Sequence, residues 1–192
     1  MIITQPIILG SKSPRRKELL KQIIPDFEVL VEETDESYPK NLLPHQIAEF
    51  VANAKSSVYS EDQITEKILI TADTIVAINE EILGKPKDKQ EAINMLTKLS
   101  GKHHDVITGV CLRLNSNMET FHETTTVHFK SLSPNDIEYY LDNFKPYDKA
   151  GAYGIQEWIG LTAIEKIEGC YYNVVGLPVS ALYSKLLAFG TK

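Results

Sequence analysis

The segment Gly10-Ser11-Lys12-Ser13-Pro14-Arg15-Arg16 can hold an anion. The apolar run Ile7-Ile8-Leu9 before it reads as a strand. Ser13 and Pro14 then open a helix, because a serine hydroxyl caps a first turn and proline fits the first helical position. The loop thus ends at a helix N-terminus, where free N–H groups and the positive dipole end favour negative charge. Ser11 and Ser13 add hydroxyl donors, and Arg15 or Arg16 can fork onto phosphate oxygens. Adjacent helical residues point about 100° apart, so a single clamp is expected, Arg15, with Arg16 contributing less. A plain capped helix with solvated arginines uses the same residues, and the local pattern leaves both readings open.

Thr71-Ala72-Asp73-Thr74 is the second candidate. Asp73 follows the apolar run Ile68-Leu69-Ile70, where an unpaired carboxylate is costly. Ligands of open α/β sheets gather at the carboxyl ends of strands, but a turn-capping aspartate fits equally well. Lys55, Lys85 and Glu36 are scattered charges, each read alone as solvated. Taken together, carboxylates and cations suit a nucleotide with a hard divalent ion. The adjacent pair His103-His104 would point to opposite faces of a strand and so would not share a metal. Neither a Gly-x-x-x-x-Gly-Lys-Ser/Thr loop, a Gly-x-Gly-x-x-Gly turn nor a His-Glu-x-x-His pair is present.

Strands and helices must position these groups. The first helix carries Leu19, Leu20, Ile23 and Ile24 on one face and stops at Pro25; a strand is expected over Phe27 to Val31. Pro44 starts a second helix with Ile47, Ala48, Val51, Ala54 and Val58 on its stripe. Lys67 to Ala72 reads as a buried strand that continues extended to Ile78, and Ile82-Leu83 returns. Asp88 with Glu91 opens a helix that ends at Gly101. Val106 to Leu114 and Thr120 to Phe129 flank a hairpin turn at residues 115–117. Ser133-Pro134 caps a helix with Ile137, Tyr140, Leu141 and Phe144 inside, followed by a polar, Gly-rich loop over 145–157. Two short strands are expected, near Ile159–Ile164 and Tyr172–Val175, before a last helix from Pro178. This is a mixed α/β chain with a long hairpin, not a regular doubly wound one.

Composition sets the outer bounds. The 192 residues suit one domain, 1–192, with apolar residues at 43% and charged residues at 24%. Lys and Arg number 20 against 26 Asp and Glu, a formal charge of −6, which argues against non-specific nucleic-acid binding. Apolar runs are too short to span a membrane, and no basic flank precedes an apolar leader. Cys111 and Cys170 have no metal-type spacing, so a reduced, cytoplasmic protein is expected.

SKSPRRKELL (11–20), TADTIV (71–76), GKP (84–86), LSG (99–101), TGV (108–110), DKAGAYGIQ (148–156) and YYNVVGLP (171–178) occur in that order. Over residues 7–187 the chain resembles the Maf family of nucleoside triphosphate pyrophosphatases, and DKAGAYGIQ is similar to its dTTP/UTP subgroup. The resemblance implies an elongated mixed sheet flanked by helices, in two lobes around a cleft, similar to inosine triphosphate pyrophosphatase. It implies Asp73 as proton acceptor, Ser11, Arg15, Glu36, Lys55 and Lys85 as polar pocket residues, and Arg15, Thr74 and Gln156 as groups tied to substrate choice. A divalent metal, Mg²⁺ or Mn²⁺, is expected at Glu36 and Asp73. Gln156 is followed by Glu157-Trp158 where many members have Gly-x-Gly; Trp158 can stack on a base or pack the lobe. The expected reaction splits dTTP or UTP into the monophosphate and pyrophosphate. Two alternatives stay open: a modified purine such as 7-methyl-GTP as substrate, and a non-catalytic nucleotide-binding regulator of septum formation. Dimers are common in such folds, so a homodimer is an expectation, though no surface stripe marks one.

Overall fold

The computed structural model describes residues 3–189; the remaining residues of the expected span 1–192 lie outside it. Its centre is a seven-stranded mixed sheet. Strand β1 (Ile7–Leu9) lies parallel to both β2 (Glu28–Val29) and β3 (Ile68–Ile78). The hairpin of β5 (His103–Leu114) and β6 (Asn117–Phe129) continues the sheet antiparallel, ending at β7 (Ile164–Glu168). Strand β4 (Glu81–Leu83) folds back on the far end of β3.

One consequence of this order positions the site. On its β5 edge, β3 is paired continuously from Leu69 to Ala77. On its other edge, β1 covers only Ile68 to Ile70 and β4 only Val76 to Ile78. Residues 71–75 therefore have no strand partner on that edge, and Asp73 sits in the gap.

Helices cover both faces. Helix α1 (Pro14–Ile23) has Ser13 at its N-cap, as expected; helix α2 (Pro44–Ser57) crosses β3 and β5 on the opposite face. Gly109 permits that crossing: a Cβ there would lie 2.3 Å from the Ala48 carbonyl. Ile47, Ala48 and Val51 of α2 pack on Ile75 and Ile107. The stripe ends in Ser56, while Val58, expected inside, is exposed. A short helix, α3 (Glu61–Ile64), follows. Helices α4 (Lys89–Leu99) and α5 (Pro134–Phe144) pack together over the larger core, with Phe144 at the surface rather than inside.

The chain departs from expectation mainly near its end. The strand expected near Ile159–Ile164 is helix α6 (Trp158–Thr162) followed by β7. The strand expected near Tyr172–Val175 is helix α7 (Tyr171–Val175), closed by Gly176 at φ 130°. Tertiary packing overrides β propensity in both cases. Gly160 of α6 sits so close to the Ile155 carbonyl that a Cβ would meet it at 1.8 Å. Strand β2 is shorter than Phe27 to Val31, because only Glu28 and Val29 pair with β1. Helix α8 (Val179–Phe189) closes the fold with Leu182 and Leu186 buried. No helix among the described residues is long and apolar enough to cross a membrane.

Candidate active site

The gap beside β3 opens into a cavity of about 550 Å³. A pocket of several hundred Å³ accommodates a nucleotide-sized ligand. Ser11, Arg15, Glu36, Lys55, Asp73, Thr74, Lys85 and Gln156, far apart in sequence, all line it.

Strand geometry splits the floor. Asp73 and Thr74 are neighbours, so their side chains leave opposite faces of β3. Asp73 turns toward α2, where Lys55 Nζ donates to its Oδ1 at 2.7 Å. The same ammonium reaches Glu36 Oε1 at 2.8 Å. Lys55 and Asp73 are largely buried, with side chains 17% and 15% exposed, so each needs the other to offset lost hydration. Burial pushes the Glu36 carboxyl up, but the Lys55 hydrogen bond and charge, with Lys85 and Arg16 beyond, outweigh it and hold the pKa below its usual value. Thr71, on the same face as Asp73, donates to the Ala52 carbonyl at 2.7 Å and pins β3 to α2.

Thr74 faces the other side and meets Arg16, which the sequence left as the lesser arginine. Arg16 Nη2 donates to Thr74 Oγ1 at 2.9 Å, Nη1 to the Ala72 carbonyl at 2.8 Å and Nε to the Gly176 carbonyl at 2.8 Å. One guanidinium thus satisfies the open edge of β3 and joins it to the end of α7. Burial lowers the Arg16 pKa and the Asp73 charge opposes that shift. Arg15 is differently placed: it lies at the cavity wall and meets Asp148 at 3.3 Å. Both arginines line the cavity, with Arg16 built into the frame and Arg15 held by one exposed carboxylate.

The loop after α5 forms the facing wall. Gly151 N donates to the Gly84 carbonyl at 3.1 Å, bringing the loop beside Lys85. Tyr153 lines the cavity, and its hydroxyl meets His104 Nε2 at 2.8 Å. Burial holds the His104 pKa at about 4, so the ring is neutral at pH 7. His103 turns to the other face, as the strand period requires, and its ring lies tilted beside that of His128, 5.5 Å between centroids. Gln156 is exposed at the rim. Trp158 packs edge-on against Tyr139, at 5.0 Å between ring centroids, and does not line the cavity. Arg16 was offered by the sequence only as the weaker alternative to Arg15, and the cavity residues Asp148, Lys149 and Tyr153 were given no role there although they lie within the DKAGAYGIQ motif.

A divalent ion fits part of this arrangement. Glu36 and Asp73 present carboxylate oxygens around one ammonium, the ligand type that Mg²⁺ and Mn²⁺ prefer. Among the described residues no group of three or more His, Cys, Asp or Glu side chains gathers to cage a metal. Magnesium commonly binds through one or two carboxylates and substrate phosphates, which this donor set matches.

The chain is thus an α/β protein with an open mixed sheet and a cation-lined cleft at an interrupted strand edge. Its fold is similar to that of the Ham1 protein of Staphylococcus aureus, with a TM-score of 0.50 at 16% identity, covering 65% of this chain and 72% of that one. The chain belongs to the Maf family: the model described as Maf-like protein matches residues 6–189. It is 49% identical to the dTTP/UTP pyrophosphatase of Flavobacterium psychrophilum over 94% of this chain and 93% of that protein. The dTTP/UTP pyrophosphatase of Bacteroides fragilis is 48% identical, over 94% of each chain. That of Porphyromonas gingivalis is 46% identical, over 96% of this chain and 94% of its own.

Proposed function

We propose that this protein hydrolyses dTTP and UTP to the monophosphate and pyrophosphate, serving the nucleotide pool. One observation carries the mechanism: the carboxylate Asp73 stands in a strand gap with Lys55 bonded to it and further cations around the same cleft. Lys55 holds the Asp73 carboxylate in place. Asp73 takes the proton of a water as its oxygen attacks the α-phosphorus. The bond from that phosphorus to the bridging oxygen breaks, and its electron pair leaves with pyrophosphate. Lys55, Lys85 and Arg15 offset the charge that grows on the leaving group, and α1 adds backbone donors behind Ser11. When bound, a divalent ion supplies further charge neutralisation of the phosphates; Glu36 and Asp73 are the residues that would hold it.

The product pattern tests this. UTP should give pyrophosphate and UMP, and EDTA should abolish turnover, with Mg²⁺ or Mn²⁺ restoring it. UDP and free phosphate as main products would overturn the assignment of the cleaved bond.

Gln156 is the proposed reader of the base. Uracil and thymine present an acceptor, O4, beside a donor, N3–H; a side-chain amide offers the complementary pair. Cytosine reverses both groups. Where the bound base excludes water from the pocket, leaving a polar group unpaired costs about 1–3 kcal/mol, so two mismatches give discrimination of roughly 10²-fold or more. Gln156→Ala should reduce the UTP/CTP ratio of kcat/KM more than it reduces the rate on UTP. An unchanged ratio would remove Gln156 from base recognition.

A further inference from the structure

Gln156 lies between two points fixed by a single hydroxyl. Tyr140, on α5, is fully buried, and its phenol reaches up to the turn that carries Gln156. The phenol donates to Glu157 Oε2 and accepts from the Gly154 N–H at 3.0 Å. Glu157 N in turn donates to the Gly154 carbonyl at 3.0 Å, closing the turn around Ile155 and Gln156. The other carboxylate oxygen of Glu157 pairs with Lys149 Nζ at 3.0 Å. Lys149 also holds Asp148 at 2.7 Å, and Asp148 holds Arg15 at 3.3 Å.

The packing leaves this turn little freedom. A Cβ at Gly154 would stand 2.9 Å from Glu157 Cδ and 3.0 Å from Lys149 Cε. Burial pushes the Tyr140 phenol far above its usual pKa, and the bond to Glu157 adds to that, so the hydroxyl keeps its proton to donate. Residues 154–157 all line the cavity; Ile155 is buried and Gln156 is the most exposed of them. Neither Tyr140 nor Trp158 lines the cavity; they act from behind.

We propose that Tyr140, Glu157 and Lys149 are positioning residues that fix where the Gln156 amide stands, so that base selectivity is set partly through Tyr140, which lies outside the cavity. The proposal rests on the reading of Gln156 as the base-reading group. The alternating charges Arg15, Asp148, Lys149 and Glu157 join the phosphate end of the cleft to its base end. A turn held at both sides of its reading residue presents the amide at one place; a loosened turn presents it at many, and the penalty for cytosine shrinks.

The test is a double-mutant cycle on the UTP/CTP ratio of kcat/KM, with Tyr140→Phe, Gln156→Ala and the pair. Tyr140→Phe keeps the ring and removes only the hydroxyl. It should lower the ratio by about threefold to tenfold, the worth of one hydrogen bond, through KM for UTP more than kcat. In the Gln156→Ala background the same change should leave the ratio unaltered. Glu157→Ala, at a partly exposed position, should reproduce the effect and serves where Tyr140→Phe does not fold; Glu157→Gln, which keeps an acceptor for Tyr140, should restore part of the ratio. If Gln156→Ala changes the ratio but Tyr140→Phe and Glu157→Ala do not, the positioning role is overturned and the reading of Gln156 stands. If Tyr140→Phe acts equally in both backgrounds, it does not work through Gln156. If Gln156→Ala itself leaves the ratio unchanged, the base-reading assignment fails and this inference falls with it.

Discussion

Asp73→Asn is expected to lower kcat on UTP by about 10²–10⁴, the range for loss of a general base, with the fold intact. The amide has the shape of the carboxylate and can still accept from Lys55. It cannot take a proton from water. The substitution also leaves no stranded charge: Lys55 keeps Glu36 at 2.8 Å as its partner. Removing one member of a buried pair costs about 3–5 kcal/mol when the other has nowhere to turn; here it has. Thermal unfolding should therefore move little while single-turnover rates collapse. Retention of more than about a tenth of wild-type kcat, far above a missing base, would make Asp73 a structural residue.

Arg16→Ala should reduce kcat/KM about 10²-fold or more and destabilise the protein as well. Three acceptors lose the guanidinium at once: the Ala72 and Gly176 carbonyls and the Thr74 hydroxyl, the last keeping Thr108 Oγ1 at 2.9 Å. Each unsatisfied group costs about 1–3 kcal/mol where water cannot replace the donor; the cleft is open, so the lower figure applies to some. The backbone on either side of Asp73 would then be free to shift, and misplacement by about 1 Å can cost 10²-fold in rate. Arg16→Lys retains the charge without the fork and should recover little. Arg15→Ala is the contrast: the carboxylate it meets is the exposed Asp148, so unfolding temperature should hold while KM rises. A calorimetric scan beside steady-state kinetics separates them. Equal loss of stability in both variants would mean that Arg15 and Arg16 are alike parts of the frame.

Much of this site was legible because its parts announce themselves locally. A strand ending at Gly10, a capped helix at Ser13-Pro14 and a carboxylate after Ile68-Leu69-Ile70 each follow from short-range rules. Lys85 and Gln156 lie inside family motifs, and Lys55 and Glu36 came from the resemblance over the whole chain; read alone, all four are solvated charges or loop residues. Pairings across the fold were not legible. Lys55 meets Asp73 only because Gly109 lets α2 lie against β5. Tyr140 meets Glu157 only because α5 passes beneath the turn. Arg16 was undervalued because helical angle says which way a side chain leaves, not what it finds. The segments 159–164 and 172–175 misled for another reason: β-branched and aromatic residues favour strands by composition, and only close packing at Gly160 and the cap at Gly176 makes them helical.

The interrupted edge of β3 has a further consequence for solubility. An unpaired strand edge is a template on which another chain can add itself, and proteins usually blunt such edges with charge, bulges or cover. This one is kept short by its own neighbours: β1 stops an incoming strand at Ile70 and β4 stops it at Val76. Between them Arg16 occupies the Ala72 carbonyl, and the Asp73 carboxylate and Lys55 ammonium stand beside it. A phosphate or a sugar can enter so narrow an opening; an extended polypeptide, which needs a run of free backbone to register against, cannot. The protein can therefore keep an unpaired stretch of strand beside its cleft without becoming a seed for aggregation.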